Sequence, residues 1–214
     1  GLFAPAAGAM ADRFGTARTI YLGSTLYALG LYVTATAEGY WGLHMGAGVL
    51  VGLGIAGSGF GVVLPGLARL VSEENRGFAL GMGTAAGSFG QLLMIPVAQE
   101  FIAGYGWQLT LMILAAGSLC MVILSVPLRT DVKATPQTQV SKDQTLGQAL
   151  KEATLHVHYW LLIAGFFVCG FQLAFITVHM PAYLGDNGFE PRVAVISLAL
   201  IGLFNSLGCL LVGS

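Results

Sequence analysis

Long apolar runs alternate with short polar breaks from one end of the chain to the other. Leu2 to Ala9 and Ile20 to Ala37 carry no charge, and a charged, glycine-bounded turn, Gly8 to Arg18, joins them. Leu43 to Leu70 forms the next run, closed by the polar break Val71 to Arg76. Gly77 to Val97, a link at Gln99 to Gly106, and Trp107 to Leu128 follow. Tyr159 to Leu184, a link at Gly185 to Arg192, and Val193 to Ser214 complete the series. A spanning helix needs roughly 20 apolar residues. The pattern therefore predicts an all-α polytopic membrane protein with one partial helix and six more. Residues 1–10 read as the tail of a helix whose start lies upstream, and the last run as one cut off at the chain end.

The only long hydrophilic segment, residues 129–158, divides this series. Its first half, Lys133 to Gln139, reads as linker. In its second half, Gln144 to His156, Leu146, Ala149, Leu150 and Ala153 recur at helical spacing, which predicts an amphipathic helix on the membrane surface. Three parts follow: 1–128, the connecting segment 129–158, and 159–214.

Composition strengthens the membrane reading. Of the 214 residues, 56% are hydrophobic and only 9% charged, and mean hydropathy is +0.78. So little polar surface could not cover a water-facing globule. The net charge of −1 and the lack of a basic stripe give nucleic acid no footing. Cys120, Cys169 and Cys209 all fall inside apolar runs, without disulfide or metal spacing. The four histidines form no metal motif, and there is no Walker loop or Ser/His/Asp set, so neither cofactor nor enzyme is expected.

Charge also orients the chain. With the partial helix numbered as the second, links 2–3, 4–5 and 6–7 hold Arg13, Arg18, Arg69, Arg76, Arg129, Lys133, Lys142 and Lys151; the opposite links hold only Arg192. That bias puts the first set in the cytoplasm. Trp41, Trp107 and Trp160 at run ends fit an interfacial belt.

Glycines four apart, Gly48/Gly52, Gly57/Gly61, Gly77/Gly81 and Gly83/Gly87, predict smooth helix faces. Such faces serve generic small-residue packing or allow helices to slide and rock. Among mid-span residues only neutral amides stand out: Gln91, Gln172 and Asn205. An amide in hydrocarbon needs a partner, so each should face protein or a water-filled cavity. His179-Met180-Pro181 sits near the external end of its helix, as a cap, an interface or a gate.

The opening turn resembles the G-x-L-a-D-r-x-G-r-r-x signature of the major facilitator superfamily. Gly8, Met10 for the usual Leu, Ala11, Asp12, Arg13, Gly15 and Arg18 match it, while Thr16 and Ala17 depart. Gly83-x-x-x-Gly87-Ser88-Phe89-Gly90-Gln91 with Pro96 and Gly106-Trp107-Gln108 is similar to bacterial monocarboxylate porters and oxalate–formate antiporters. So are Trp160 to Gly170 with His179 to Leu184, and Ile201-Gly202-Leu203-Phe204-Asn205. The resemblance implies a partial fold, from the end of helix two to helix eight of twelve, and alternating access around a central site. It implies a carrier of small organic anions, with or without protons, in a bacterial inner membrane. Drug efflux and a non-transporting membrane sensor are the alternatives. It also implies that Asp12 holds the cytoplasmic ends of the two halves together, paired with a basic group, Arg69 being a candidate, or with a helix N-terminus of the other half, and that Gly213 begins a second copy of the opening turn. Two departures matter. Gly48 stands where proton-coupled exporters of the superfamily carry an Arg. Asn205 and Cys209 stand where animal monocarboxylate carriers bear an Asp and an Arg, so helix eight is not expected to couple protons.

Overall fold

The computed structural model describes residues 3–128 and 146–213, and helices are the only regular secondary structure among them. The chain divides into two compact units, Gly1–Thr135 with Ile201–Ser214, and Pro136–Leu200. Among the described residues, four helical stretches are long and apolar enough to cross a membrane: Tyr40–Ala68, Glu73–Leu124, Val157–Asp186 and Pro191–Gly213.

In the first unit, α1 (Ala4–Phe14) leads through the single residue Gly15 into α2 (Thr16–Ala35). At 20 residues α2 is about 30 Å long, enough for a bilayer. Threonines and tyrosines make it less apolar than the four spans. Its small and hydroxylated residues explain its place, because Thr16, Thr19, Gly23, Ser24, Ala28 and Gly30 are buried. Helix α1 and the helical stretches Tyr40–Ala68 and Arg76–Ser118 all pack against it. Thr19 and Thr34 donate their hydroxyls to carbonyls four residues back, so these polar groups enter the packing already satisfied.

Helix α3 (Tyr40–Ala68) begins before the predicted Leu43 and is not uniform. Residues His44–Leu50 form a π-helical turn, and Gly59 (φ −82°, ψ −178°) interrupts the helix before Phe60–Ala68. A short 3₁₀ turn, Glu73–Asn75, precedes α4 (Arg76–Ser118). The expected link Gln99 to Gly106 is mostly helix. Only Gly106, at φ 80° and ψ 164°, leaves helical geometry, and there the stretch breaks into two helices, 76–105 and 107–118. Gln99 and Glu100 mark where the chain becomes polar, but both are good helix formers, so polarity misplaced the helix end. After α4 come α5 (Cys120–Leu124) and the 3₁₀ turn Val126–Leu128.

In the second unit, the surface helix expected over Gln144 to His156 is α6 (Leu146–Leu155). The linker residues Lys133 to Gln139 lie outside the described residues. Trp160 Nε1 donates to the Thr154 carbonyl at 2.9 Å, tying α6 to the start of α7 (Val157–Asp186). Gly188 (φ 77°) turns the chain into α8 (Pro191–Gly213), which opens on a proline suited to the first helical position. The second part of α8, from Ile201 on, packs with the first unit.

Candidate functional site

Gly15 makes the turn between α1 and α2 possible. Its φ of 97° and ψ of 145° belong to a region that side chains with a Cβ avoid, and its N–H caps the Ala11 carbonyl at 2.9 Å. Ala7, Ala11, Ile20 and Val62 form the apolar cluster beneath this turn. With α1 and α3 packed there, Asp12 in the last turn of α1 meets Arg69 at the C-cap of α3. The Arg69 Nη2 donor lies 2.5 Å from Asp12 Oδ1. The pair is well exposed, with side chains 66% and 34% accessible for Asp12 and Arg69. An exposed ion pair contributes at most about 1 kcal/mol, so this contact positions helix ends more than it stabilises the fold. Arg13 lies over the Phe14 ring at 5.4 Å. Arg13 and Arg18 are exposed, and Gly8 has nothing within 4 Å of where a Cβ would sit. Thr16, a departure from the signature, puts its methyl against Gly66, where a Cβ would stand 2.5 Å away.

The packing glycines are not all those expected. Cβ atoms at Gly48 and Gly52 would meet nothing within 4 Å. The α2–α3 seam runs instead along Gly46, Gly54 and Gly57 of α3. A Cβ on Gly23 would lie 2.5 Å from Gly57 C, and one on Gly54 would lie 2.6 Å from Tyr27 Cα. Glycine spacing says that a smooth face exists; in a helix with glycines on several faces it does not say which face is used. Gly83 and Gly87 do pack: their Cβ atoms would approach Leu64 Cδ2 (3.0 Å) and the Phe60 ring (2.4 Å) of α3.

A second close crossing joins α4 to the end of α8. Gly81 and Gly213 meet backbone to backbone, each Cβ position 2.8 Å from the other residue's Cα. A Cβ on Gly202 would stand 2.9 Å from both the Ser88 carbonyl oxygen and Leu92 N, and 3.4 Å from Gln91 Cβ. Asn205 Nδ2 donates to Ser88 Oγ at 2.8 Å, and Ser206 Oγ donates to the Ala85 carbonyl at 3.0 Å. Asn205 Oδ1 accepts a long contact of 4.0 Å from Cys209 Sγ. Of the three amides, Asn205 and Gln91 thus lie in the same crossing, and Asn205 has one donor already engaged between helices. Gln172 lies in α7 of the other unit, exposed, and makes no hydrogen bond among the described residues. Ser88, Ser206 and Gly202 were missed by the sequence reading. Small hydroxylated residues beside glycines were the available signal, but they are common in membrane helices.

The described residues contain no group of three or more His, Cys, Asp or Glu able to hold a metal ion.

Comparison with known proteins gives this architecture a place. Monocarboxylate transporter 13 of Bos taurus is 26% identical over 210 residues, covering 95% of this chain and 46% of that protein. Monocarboxylate transporter 11 of Mus musculus is 30% identical over 142 residues, 64% of this chain and 31% of the relative. A 2-nitroimidazole transporter of Escherichia coli (strain K12) is 30% identical over 131 residues, 59% of this chain and 31% of its own. The chain spans about half or less of the length of the curated relatives it matches. No solved structure matches it significantly. The model of the Major Facilitator Superfamily matches residues 1–214. With its all-helical membrane architecture, the chain belongs to the Major Facilitator Superfamily.

Proposed function

We propose that the chain is part of a secondary active carrier for a small organic anion, a monocarboxylate foremost, that works by alternating access. The strongest support is the family match over residues 1–214 combined with a relative named as a monocarboxylate transporter that aligns with 95% of the chain. In this reading Asp12 and Arg69 clamp the cytoplasmic ends of α1 and α3, and Gly8, Arg13, Gly15 and Arg18 shape and anchor the turn that carries the clamp. Gln91 is a polar contact for the substrate on α4, and Gln172 is another on α7. Asn205 adds its remaining amide N–H and Oδ1 beside the Ser88 contact. Links 2–3, 4–5 and 6–7 face the cytoplasm, the bilayer being a bacterial inner membrane. With Asn205 and Cys209 where animal monocarboxylate carriers bear an Asp and an Arg, helix eight is not the element that couples protons.

One observation favours a second reading. A relative named as a 2-nitroimidazole transporter shows that neutral heteroaromatic molecules are also carried among the similar proteins, which supports an efflux carrier of such compounds. Uptake of radiolabelled lactate, benzoate and 2-nitroimidazole into proteoliposomes holding the full-length protein tests both. Saturable monocarboxylate uptake, trans-stimulated by the same anion, is the expected result. Transport of nitroimidazole alone would establish the second reading, and no transport of any of the three would refute the carrier reading and leave a sensor.

A further inference from the structure

Helix α7 carries its polar residues on one side. A helix turns about 100° per residue, so Gln172, His179, Tyr183 and Asp186 fall within roughly 60° of arc. Phe175 lies at the edge of the same arc. The opposite side, with Gly170, Leu173 and Leu184, is apolar. Of its two hydroxyls, that of Tyr159 lies in the first turn of the helix, and Thr177 Oγ1 donates to the Leu173 carbonyl at 2.8 Å and the Ala174 carbonyl at 3.2 Å, so it asks nothing of its surroundings. Gln172 differs: it stands at the middle of the 30-residue helix, with no hydrogen bond among the described residues. Facing hydrocarbon there would leave an amide unsatisfied, whereas facing water or a polar ligand would not.

An aromatic ladder winds round the helix and reaches the edge of the stripe at Phe175. Phe167, Phe171 and Phe175 stack at successive four-residue steps, with centroids 6.2 and 6.1 Å apart. The ladder ends on His179, whose ring lies 4.9 Å from that of Phe175. Along the axis Gln172 and His179 bracket Phe175 at about 4.5 and 6 Å. A flat ring with one carboxylate fits that spacing, its ring on Phe175 and its carboxylate taking an N–H from Gln172 or His179.

We propose that the Gln172–Phe175–His179 stripe of α7 lines the water-filled path and selects ring-bearing planar monocarboxylates over aliphatic ones. This rests on the carrier reading and narrows its substrate class. Single cysteines at Phe175, Tyr183, Leu173 and Leu184, placed in the full-length protein with Cys120, Cys169 and Cys209 replaced by alanine, test it directly. A charged, membrane-impermeant thiol reagent should label 175 and 183 but not 173 and 184, and benzoate should slow labelling of a further single cysteine at Ile176, which lies between Gln172 and His179 on the same side and leaves Phe175 intact. Equal labelling of both sides, or no protection by benzoate, would overturn the proposal. In uptake assays Phe175→Leu should raise KM for benzoate about five- to tenfold while changing that for lactate less than twofold. Equal changes for both anions would also overturn it. Labelling and protection need no turnover, so an inactive carrier would sink the transport reading while the labelling pattern still judged the stripe.

Discussion

Replacing Gly23 by alanine should destabilise the protein, while replacing Gly52 by alanine should not. Both substitutions add one methyl to a glycine within a helix, and both gain roughly 1 kcal/mol of helix propensity. They differ in what the methyl meets. At Gly23 it would lie 2.5 Å from Gly57 C, 2.7 Å from Ser58 N and 2.8 Å from Gly57 Cα, all of them backbone. No side chain can swing aside, so α2 and α3 must separate by up to about an ångström to restore van der Waals contact. Overpacking of this kind costs about 1–3 kcal/mol. The separation also loosens the neighbouring seam contacts at Gly30 and Gly54. Net loss at Gly23 should therefore be about 1–2 kcal/mol, against a gain of up to about 1 kcal/mol at Gly52, where nothing lies within 4 Å. Equilibrium unfolding of the purified full-length protein in mixed micelles, followed by circular dichroism, would measure both. Equal shifts, or a larger loss at Gly52 than at Gly23, would show that the outward glycine face is the one that packs, and the assigned seam would be wrong.

Other outcomes follow from the remaining contacts. Asp12→Asn should lower turnover of the full-length carrier with little change in unfolding free energy, since an exposed pair contributes at most about 1 kcal/mol; the exchange Asp12→Arg with Arg69→Asp should recover part of that turnover, and a double variant no better than either single one would count against the clamp. Ser88→Ala and Asn205→Ala should show a coupling of about 0.6 kcal/mol, and no more than about 1.7, in a double-mutant cycle of unfolding; strict additivity would mean that the hydrogen bond adds nothing. Gly106→Ala should cost about 1–3 kcal/mol, because its φ of 80° and ψ of 164° suit glycine alone, and an unchanged unfolding midpoint would mean that the chain relaxes there without penalty.

The sequence carried the helices well because apolar length is a property of each segment by itself. The same logic located helix α6, from four small and apolar residues at helical spacing. It failed at Gln99 to Gly106, where the chain becomes polar before it stops being helical. It could not foresee that His44–Leu50 winds as a π-turn, since no residue there forbids an α-turn. Asp12 and Arg69 were readable as a candidate pair through the resemblance of the opening turn to a known signature, with Arg69 at the end of the run that closes at Leu70. The choice between Gly52 and Gly54 was not readable, because packing selects a helix face by what lies opposite. Asn205 was legible as an amide in need of a partner, yet that partner, Ser88, lies 117 positions away and is one of many serines.

The π-helical turn at His44–Leu50 has a consequence for how this chain tolerates change in length. Such a turn amounts to about one residue more than an α-turn would use between the same two ends. Removing one residue from an ordinary stretch of α3 would rotate everything beyond it by about 100° and pull Gly54 and Gly57 off the α2 seam. Removing one from the π-turn would instead let it rewind as an α-turn, with the faces on either side kept in place. The turn is therefore a reservoir of slack, and single-residue deletions during descent should be survivable there and lethal a few positions further along.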